Sequence, residues 1–228
     1  MLHGYGPSLL QGAALTLAVA FVSLGVALLL GAAGATARLS RHRLPRWIAQ
    51  GYTTAIRGVP DLVMMLIVFY GGQVLVNHLA DARGWPAIDV DPFVAGTLTI
   101  GFIFGAYFTE IFRGAVLAVP NGQREAALAY GMTRWQVLRR VVGPQMLRHA
   151  LAPLSNCWLV MLKSTALVSV IGLQDLLQRA HAAGGSTGEP FVFGLAAAGL
   201  YLVFTAVSEW GFSRIGRRLD VGTKPNAY

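Results

Sequence analysis

The sequence predicts an all-α membrane protein with five transmembrane helices, its N-terminus outside the cell membrane and its C-terminus in the cytoplasm. Three observations carry that expectation. Hydrophobic residues make up 55% of the 228 residues and charged residues only 12%, with a mean hydropathy of +0.56, whereas soluble domains carry about 25% charged residues. The apolar residues gather in five stretches, each long enough for the roughly 20 helical residues that cross a bilayer. The connections between those stretches alternate between basic and acidic.

The first span falls within residues 9–37, because no charged side chain stands between His3 and Arg38. A cleaved signal peptide with Ala35-Thr36-Ala37 as its cleavage site is the rival reading. It fails on three counts: no positive segment precedes it, the apolar part is too long, and the positive charges follow it. The second span is placed at about 48–76. Arg57 and Asp61 interrupt it at the i, i+4 spacing of a helix-face ion pair, and Gly58-Val59-Pro60 marks a break. The third, about 92–112, contains Gly101 and Gly105, a small-xxx-small pair that lets helices approach closely. The fourth is about 150–171 with Pro153 near its start, and the fifth about 191–212. No linker, low-complexity tract or short repeat divides the chain, so residues 1–228 form one domain.

Arg38, Arg41, Arg43 and Arg46 follow the first span without an acid; Asp81, Asp89 and Asp91 outnumber Arg83 after the second. Arginines dominate again from Arg113 to Arg148, against Glu125. Asp175 and Glu189 outnumber Arg179 after the fourth span, and Arg214, Arg217, Arg218 and Lys224 outnumber Asp220 in the tail. The positive-inside rule then puts the N-terminus outside and the arginine-rich stretch around Glu125 in the cytoplasm. The net charge of +8 is spread between apolar runs and leaves no soluble module with a basic face, which argues against nucleic acid as a partner. Cys157 is the only cysteine, so neither an intramolecular disulfide nor a cysteine-rich metal site is expected. His3, His42, His78, His149 and His181 lack helical metal spacing. No group suits catalysis, and no G-x-x-x-x-G-K-[ST] loop is present, so the chain is not expected to hydrolyse ATP itself. Trp47, Trp85, Trp135, Trp158 and Trp210 mostly fall near span ends, as an interfacial belt requires. The Gly-, Ala- and Ser-rich connection at 172–190 fits either a mobile flap over the outer mouth or a passive loop.

The polar stretch EAALAYGMTRWQVLRRVVGP, residues 125–144, carries strong helix signals. Good helix formers run from Glu125, with the carboxylate in the first turn. Gly131 is a left-handed stop, Thr133 and Gln136 have capping-box spacing, and Pro144 interrupts or kinks the second helix. A short helix, a bend and a new helix are suited to plugging into a partner; an ordinary solvated loop is the alternative.

The spacing resembles the EAA loop of bacterial ABC importer permeases: Glu125-Ala126-Ala127, a glycine six residues after the Glu, and Pro144 thirteen beyond that. Ala106, Tyr107, Glu110, Arg113, Gly114, Pro120, Gly122 and Gln123 also match the polar amino-acid branch of that family. The segments YTTAIRGVPDLV, GAYFTEIFRGA, LKSTALVS and the tail after YLVFT resemble its Q-type subunits, which serve histidine, lysine, arginine and ornithine. The resemblance implies a five-helix type I permease fold in the bacterial inner membrane, with a periplasmic N-terminus. It implies an ATP-driven importer of polar, above all basic, amino acids. The coupling loop, about 120–144, would dock into the ATPase through Glu125, Ala126, Ala127, Gly131 and Arg134. Two copies of an ATP-binding subunit, a second permease subunit of M type and a periplasmic amino-acid-binding protein would complete the assembly. ATP and Mg belong to the ATPase, and this chain needs no cofactor of its own. Gly143 departs from the leucine usual before the proline. A secondary transporter or a non-transporting scaffold would leave the EAA-like loop unexplained.

Ionisable groups inside apolar spans are expensive and mark functional candidates. Arg57 with Asp61, and Glu110 with Arg113 at i, i+3, are expected to pair, and the resemblance implies that both clusters shape an inner gate. Ser155, Asn156 and Lys163 form a polar stripe on the fourth span, which lines a translocation path or hydrogen-bonds to neighbouring helices. Relatives that bind substrate within the membrane carry a carboxylate after this Asn; here the position is Cys157, which weakens the case for an anionic site on this chain.

Overall fold

A computed structural model describes residues 3–219, so Asp220 and Lys224 of the basic tail lie outside the described residues. The helices are α1 (Gly6–Arg38), α2 (Arg43–Arg57), α3 (Asp61–Asp81), α4 (Pro92–Leu117), α5 (Asn121–Ala129), α6 (Arg134–Val137), α7 (Gly143–Ser164), α8 (Leu176–Thr187) and α9 (Pro190–Leu219). A π-turn, Leu138–Val142, joins α6 to α7, and a 3-10 segment, Thr165–Ile171, extends α7. Among the described residues, five helical units are long and apolar enough to cross a membrane: α1, α3, α4, the unit Arg134–Ile171, and α9.

The core is the seam between α1 and α4, and glycines make it. A Cβ on Gly31 would lie 2.5 Å from Phe108, one on Gly101 2.6 Å from Val26, and one on Gly105 2.8 Å from Leu30. The pair read from the sequence, Gly101 and Gly105, does allow close approach. Gly31 and Gly34 on α1 answer it from the other side, Gly34 against Thr109. Contacts advance in step along both helices (Val26 with Gly101, Leu30 with Gly105, Gly31 with Phe108), so α1 and α4 run parallel. Thr97, Thr99 and Thr109 on α4 donate to carbonyls one turn back, which satisfies their hydroxyls inside an apolar seam.

The second span needs correction. Residues 48–76 are not one helix: Pro60, extended at ψ 136°, separates α2 from α3, and the crossing unit is Asp61–Asp81. α2 is amphipathic, with Ala49, Thr53 and Ile56 turned inward. Its Tyr52 hydroxyl donates to the Phe102 carbonyl of α4.

The fourth span starts earlier than residue 150. Pro144 lies in the first turn of α7, where its missing N–H costs little. The π-turn before it closes with Gly143 N–H donating to the Leu138 carbonyl. A Cβ on Gly143 would stand 2.8 Å from that carbonyl oxygen, so glycine suits the widened turn and the helix continues through it.

The connection at 172–190 is largely helical rather than an irregular loop. It contains α8, which Asp175 caps by accepting from Gln178 N–H at 2.9 Å, and which ends at Gly188 with φ +73°. Leu176, Ala180 and Ala183 pack on Leu9 and Ala13 of α1 and on Phe193 and Ala197 of α9. α8 therefore closes the starting end of α1. The α1–α2 turn and α5–α6 lie at the opposite end. Trp158 also departs from the interfacial belt, being 5% exposed with its indole N–H donating to Ser208. Trp47, Trp85, Trp135 and Trp210 are exposed as expected.

Asp175 supplies a pH test of this outer helix. It is 1% exposed, its Oδ2 has no hydrogen-bond partner among the described residues, and burial pushes its pKa up to about 6 against the pull of its capping bonds. A raised carboxyl pKa favours the neutral acid, so its stabilisation is complete below the ordinary carboxylate value and is lost as pH rises through about 6. Hydrogen-exchange protection of α8, corrected for intrinsic rates, should fall between pH 5 and pH 7.5 by on the order of 1 kcal/mol. Asp175→Asn keeps a capping oxygen and should be flat over that interval. Equal pH dependence in the two proteins would show that Asp175 is not the titrating group.

Candidate functional site

Two features concentrate the polar residues. The first is the bend between α5 and α6. α5 starts at Asn121, directly after Pro120, so Glu125 lies in the second turn and not, as the sequence suggested, in the first. Ala127 is the residue that turns inward, where it meets Val119, Val137 and Val142 in a small core flanked by Met132 and Met146.

Gly131 ends α5 with φ +79°. Met132 N–H donates to the Ala127 carbonyl at 3.1 Å and Gly131 N–H to the Leu128 carbonyl at 2.9 Å, which is a Schellman closure. Two residues later the capping box is complete. Thr133 Oγ1 accepts from Gln136 N–H at 3.3 Å, and Gln136 Oε1 accepts from Thr133 N–H at 2.8 Å. Two interlocked caps and a private core thus fix the angle. Outward stand Glu125, Ala126, Arg134, Arg139 and Arg140, with Tyr130 at 87% and Trp135 at 68% exposure. The sequence located the bend; it did not show that aromatics would flank the arginines on its open face.

The second feature is a cleft of about 450 Å³ lined by Arg57, Asp61, Tyr107, Glu110, Asn156 and Cys157, among others. The expected Arg57–Asp61 ion pair is not made. Arg57 ends α2 and Asp61 begins α3, and the proline break removes the helical register that i, i+4 pairing needs. The Arg57 guanidinium stacks 5.4 Å over the Tyr107 ring instead. Asp61 stands in the first turn of α3, where a carboxylate suits the helix dipole.

Glu110 does pair with Arg113, at 2.8 Å, and also with Arg38, at 3.1 Å. Arg38 in turn donates to Gln50 at 2.8 Å. Arg38 is a site residue that the loop-charge count concealed, because its partner is 72 positions away and only α1–α4 packing joins them.

Asn156 borders both this cleft and a second one of about 550 Å³ between α7 and α9, lined by Ser155, Ser213 and Glu209 among others. Glu209, inside the run read as the fifth span, is a carboxylate that the apolar pattern hid. Ser155 donates to the Ala152 carbonyl at 2.8 Å. Lys163 is exposed at the far end of α7 and lines neither cleft, so the stripe contributes two of its three residues. Cys157 is buried and free. No group of His, Cys, Asp and Glu suited to a metal ion occurs among the described residues.

Residues 27–221 match the family described as binding-protein-dependent transport system inner membrane component. The chain is 52% identical to the histidine/lysine/arginine/ornithine transport system permease protein HisQ of Escherichia coli (strain K12), covering 98% of each chain. It is 43% identical to the octopine transport system permease protein OccQ of Rhizobium radiobacter over 90% of this chain and 87% of that one. Among solved structures, an amino acid ABC transporter crystallised with histidines superposes with a TM-score of 0.78 at 32% identity, covering 94% of this chain and 95% of that one. The inward-facing MetNI methionine ABC transporter shares the fold, with a TM-score of 0.73 at 18% identity over 94% of this chain and 97% of that one.

Proposed function

Since the chain belongs to the family of binding-protein-dependent transport system inner membrane components, we propose that it forms half of the translocation path of an importer for basic amino acids. We further propose that the α5–α6 bend couples that path to the ATPase. The chain is a multi-pass membrane subunit of an amino-acid ABC importer, with the type I permease fold. It works with an ATP-binding subunit, on which hydrolysis takes place, and with a substrate-binding protein.

The remaining parts belong to the proposal. A second, M-type permease completes the path, two ATP-binding subunits holding ATP and Mg lie beneath, and the pair sits in the bacterial inner membrane. The N-terminus is periplasmic, and α8 faces the binding protein's side. One observation carries the reading: the bend has its own core and closure, yet presents Tyr130, Trp135 and arginines outward at the end of the spans opposite α8. Aromatic and arginine side chains on a rigid turn are what an interface anchor requires. Relatives named for histidine, lysine, arginine and ornithine, and for octopine, support a basic substrate class.

The motion follows from differential affinity. ATP closes its own subunits, and only a rigid link can turn that closure into an outward-open state of the spans. The bend, braced by Ala127 and the capping box, supplies the link. Arg57, Asp61, Glu110 and Arg113 shape the cleft as a gate, and Ser155 with Asn156 borders the path.

Purifying the chain with its second permease and its ATP-binding subunit, reconstituting the assembly with the binding protein, and competing labelled arginine with other amino acids tests the assignment. Basic amino acids should compete best, and uptake should vanish without the ATP-binding subunit. Uptake that persisted without it would indicate a secondary carrier. In the same vesicles Asn156→Leu should slow uptake roughly tenfold, the cost of one lost polar contact to the moving substrate, with assembly intact. Unchanged uptake would leave Asn156 a purely structural residue.

A further inference from the structure

The seam between α1 and α2 holds a cleft of about 370 Å³ whose lining is carbon almost throughout, from Ala33 and Ala37 of α1, Pro45, Ile48 and Ala49 of α2, and Phe102 of α4. Ile48 and Phe102 on its rim are exposed, as are neighbouring Leu44 and Trp47. Because α1 is long and apolar enough to cross a membrane, this cleft opens at a depth where acyl chains are available.

At its Ala37–Pro45 end the chain turns from α1 into α2. There Arg41, Arg43 and Arg46 are exposed, and none of them lies within ion-pair distance of an acid among the described residues. Arg38 differs, being held by Glu110 and Gln50. No Asp or Glu occurs in residues 1–60, so nothing local neutralises the cluster. Trp47 beside the cleft has the amphipathic ring that settles at headgroup depth.

We propose that this seam is a binding site for an anionic phospholipid, one acyl chain lying in the cleft and the phosphate meeting Arg41, Arg43 and Arg46. Guanidinium groups take phosphate oxygens in bidentate fashion. A zwitterionic headgroup brings its own cation and leaves the three arginines partly uncompensated. An apolar helix of a neighbouring subunit would fill the cleft but leave the arginines without a counter-charge. The site rests only on α1 spanning the membrane, and not on which amino acid is carried or how ATP is coupled.

The test uses the assembled importer, stripped to tightly held lipid in mild detergent and offered phosphatidylglycerol or phosphatidylcholine, with retained lipid counted by native mass spectrometry. The wild type should retain phosphatidylglycerol in preference by roughly tenfold or more, since a basic residue at a membrane surface contributes about a fivefold preference. The triple change Arg41→Gln, Arg43→Gln, Arg46→Gln should erase that preference. Ala37→Leu, which fills the cleft, should lose one bound lipid while leaving the arginines in place. Equal retention of the two lipids by the wild type, or an unchanged preference in the triple variant, would overturn the site. So would an Ile48→Cys thiol that cross-links to another subunit, because a protein would then cover the cleft; the native Cys157 is buried and does not compete.

Discussion

Replacing Gly131 with valine is expected to uncouple the importer: uptake falls by roughly tenfold or more, and ATP hydrolysis no longer responds to substrate-loaded binding protein. The cause is backbone strain alone. A Cβ on Gly131 would meet nothing within 4 Å among the described residues, so the first side-chain carbon has room, but φ is +79°. A left-handed residue costs about 1–2 kcal/mol when it carries a Cβ, and a β-branched one is a genuine outlier there. To relieve it the turn must open, which breaks the closure from Met132 to Ala127 and swings α6 away from the Val137–Ala127 contact. A penalty of that size changes the bend's population by a factor of about 5–30. Gly131→Asn is the control, since asparagine tolerates the left-handed region, and it should keep most of the activity. The melting of the spans should be unchanged in both variants, and binding of the ATP-binding subunit should weaken in Gly131→Val only. If Gly131→Val transported at the wild-type rate, the bend would not be the coupling element.

That bend was the most legible part of the chain, and the reason is locality. Gly131, Thr133 and Gln136 act on neighbours within a few positions, so spacing alone specifies the Schellman closure and the capping box. The spans were legible for a similar reason, since apolar length is a local property. Several of the misreadings involve partners distant in sequence. Arg57 and Asp61 have pairing periodicity, but Pro60 breaks the register and Tyr107, from α4, takes the cation. Trp158 looks like an interfacial aromatic until α9 brings Ser208 to its indole N–H. The α8 segment is rich in Gly, Ala and Ser, which suggests a loop; small residues there let the helix settle against α1, where a Cβ on Gly12 would lie 2.9 Å from the Asp175 carbonyl oxygen and the Leu176 Cα. Ala127 shows both sides: the motif marked it, but only the packing shows why it, and not Ala126, must be small.

Glu110 should be the most costly single charge to remove. Its carboxylate accepts from Arg113 on its own helix and from Arg38 at the end of α1, so one side chain ties the two parallel helices where the glycine seam ends. The carboxylate is 18% exposed, Arg38 17% and Arg113 32%. Removing one partner of a buried pair costs about 3–5 kcal/mol because the survivor is left without compensation. Here two guanidiniums are stranded, but the wetter Arg113 recovers part of its loss from solvent, so Glu110→Ala should cost about 3 kcal/mol. The expected result is a lower melting temperature for the assembled permease and a smaller assembled fraction in the membrane. Glu110→Gln keeps the length and one acceptor and should lose less.

A double-mutant cycle separates the tie from the gate. Arg38→Gln together with Glu110→Gln replaces two charges with two amides that can bond to each other. It should melt above the sum of the single variants, with a coupling of about 1–3 kcal/mol. If the tie only holds α1 to α4, uptake will recover along with melting in the double variant. If the pair also gates the cleft that Glu110 lines with Arg57 and Asp61, melting will recover while uptake stays low. Additive melting in the cycle would mean that Arg38 and Glu110 act independently, and the proposed tie between α1 and α4 would fall.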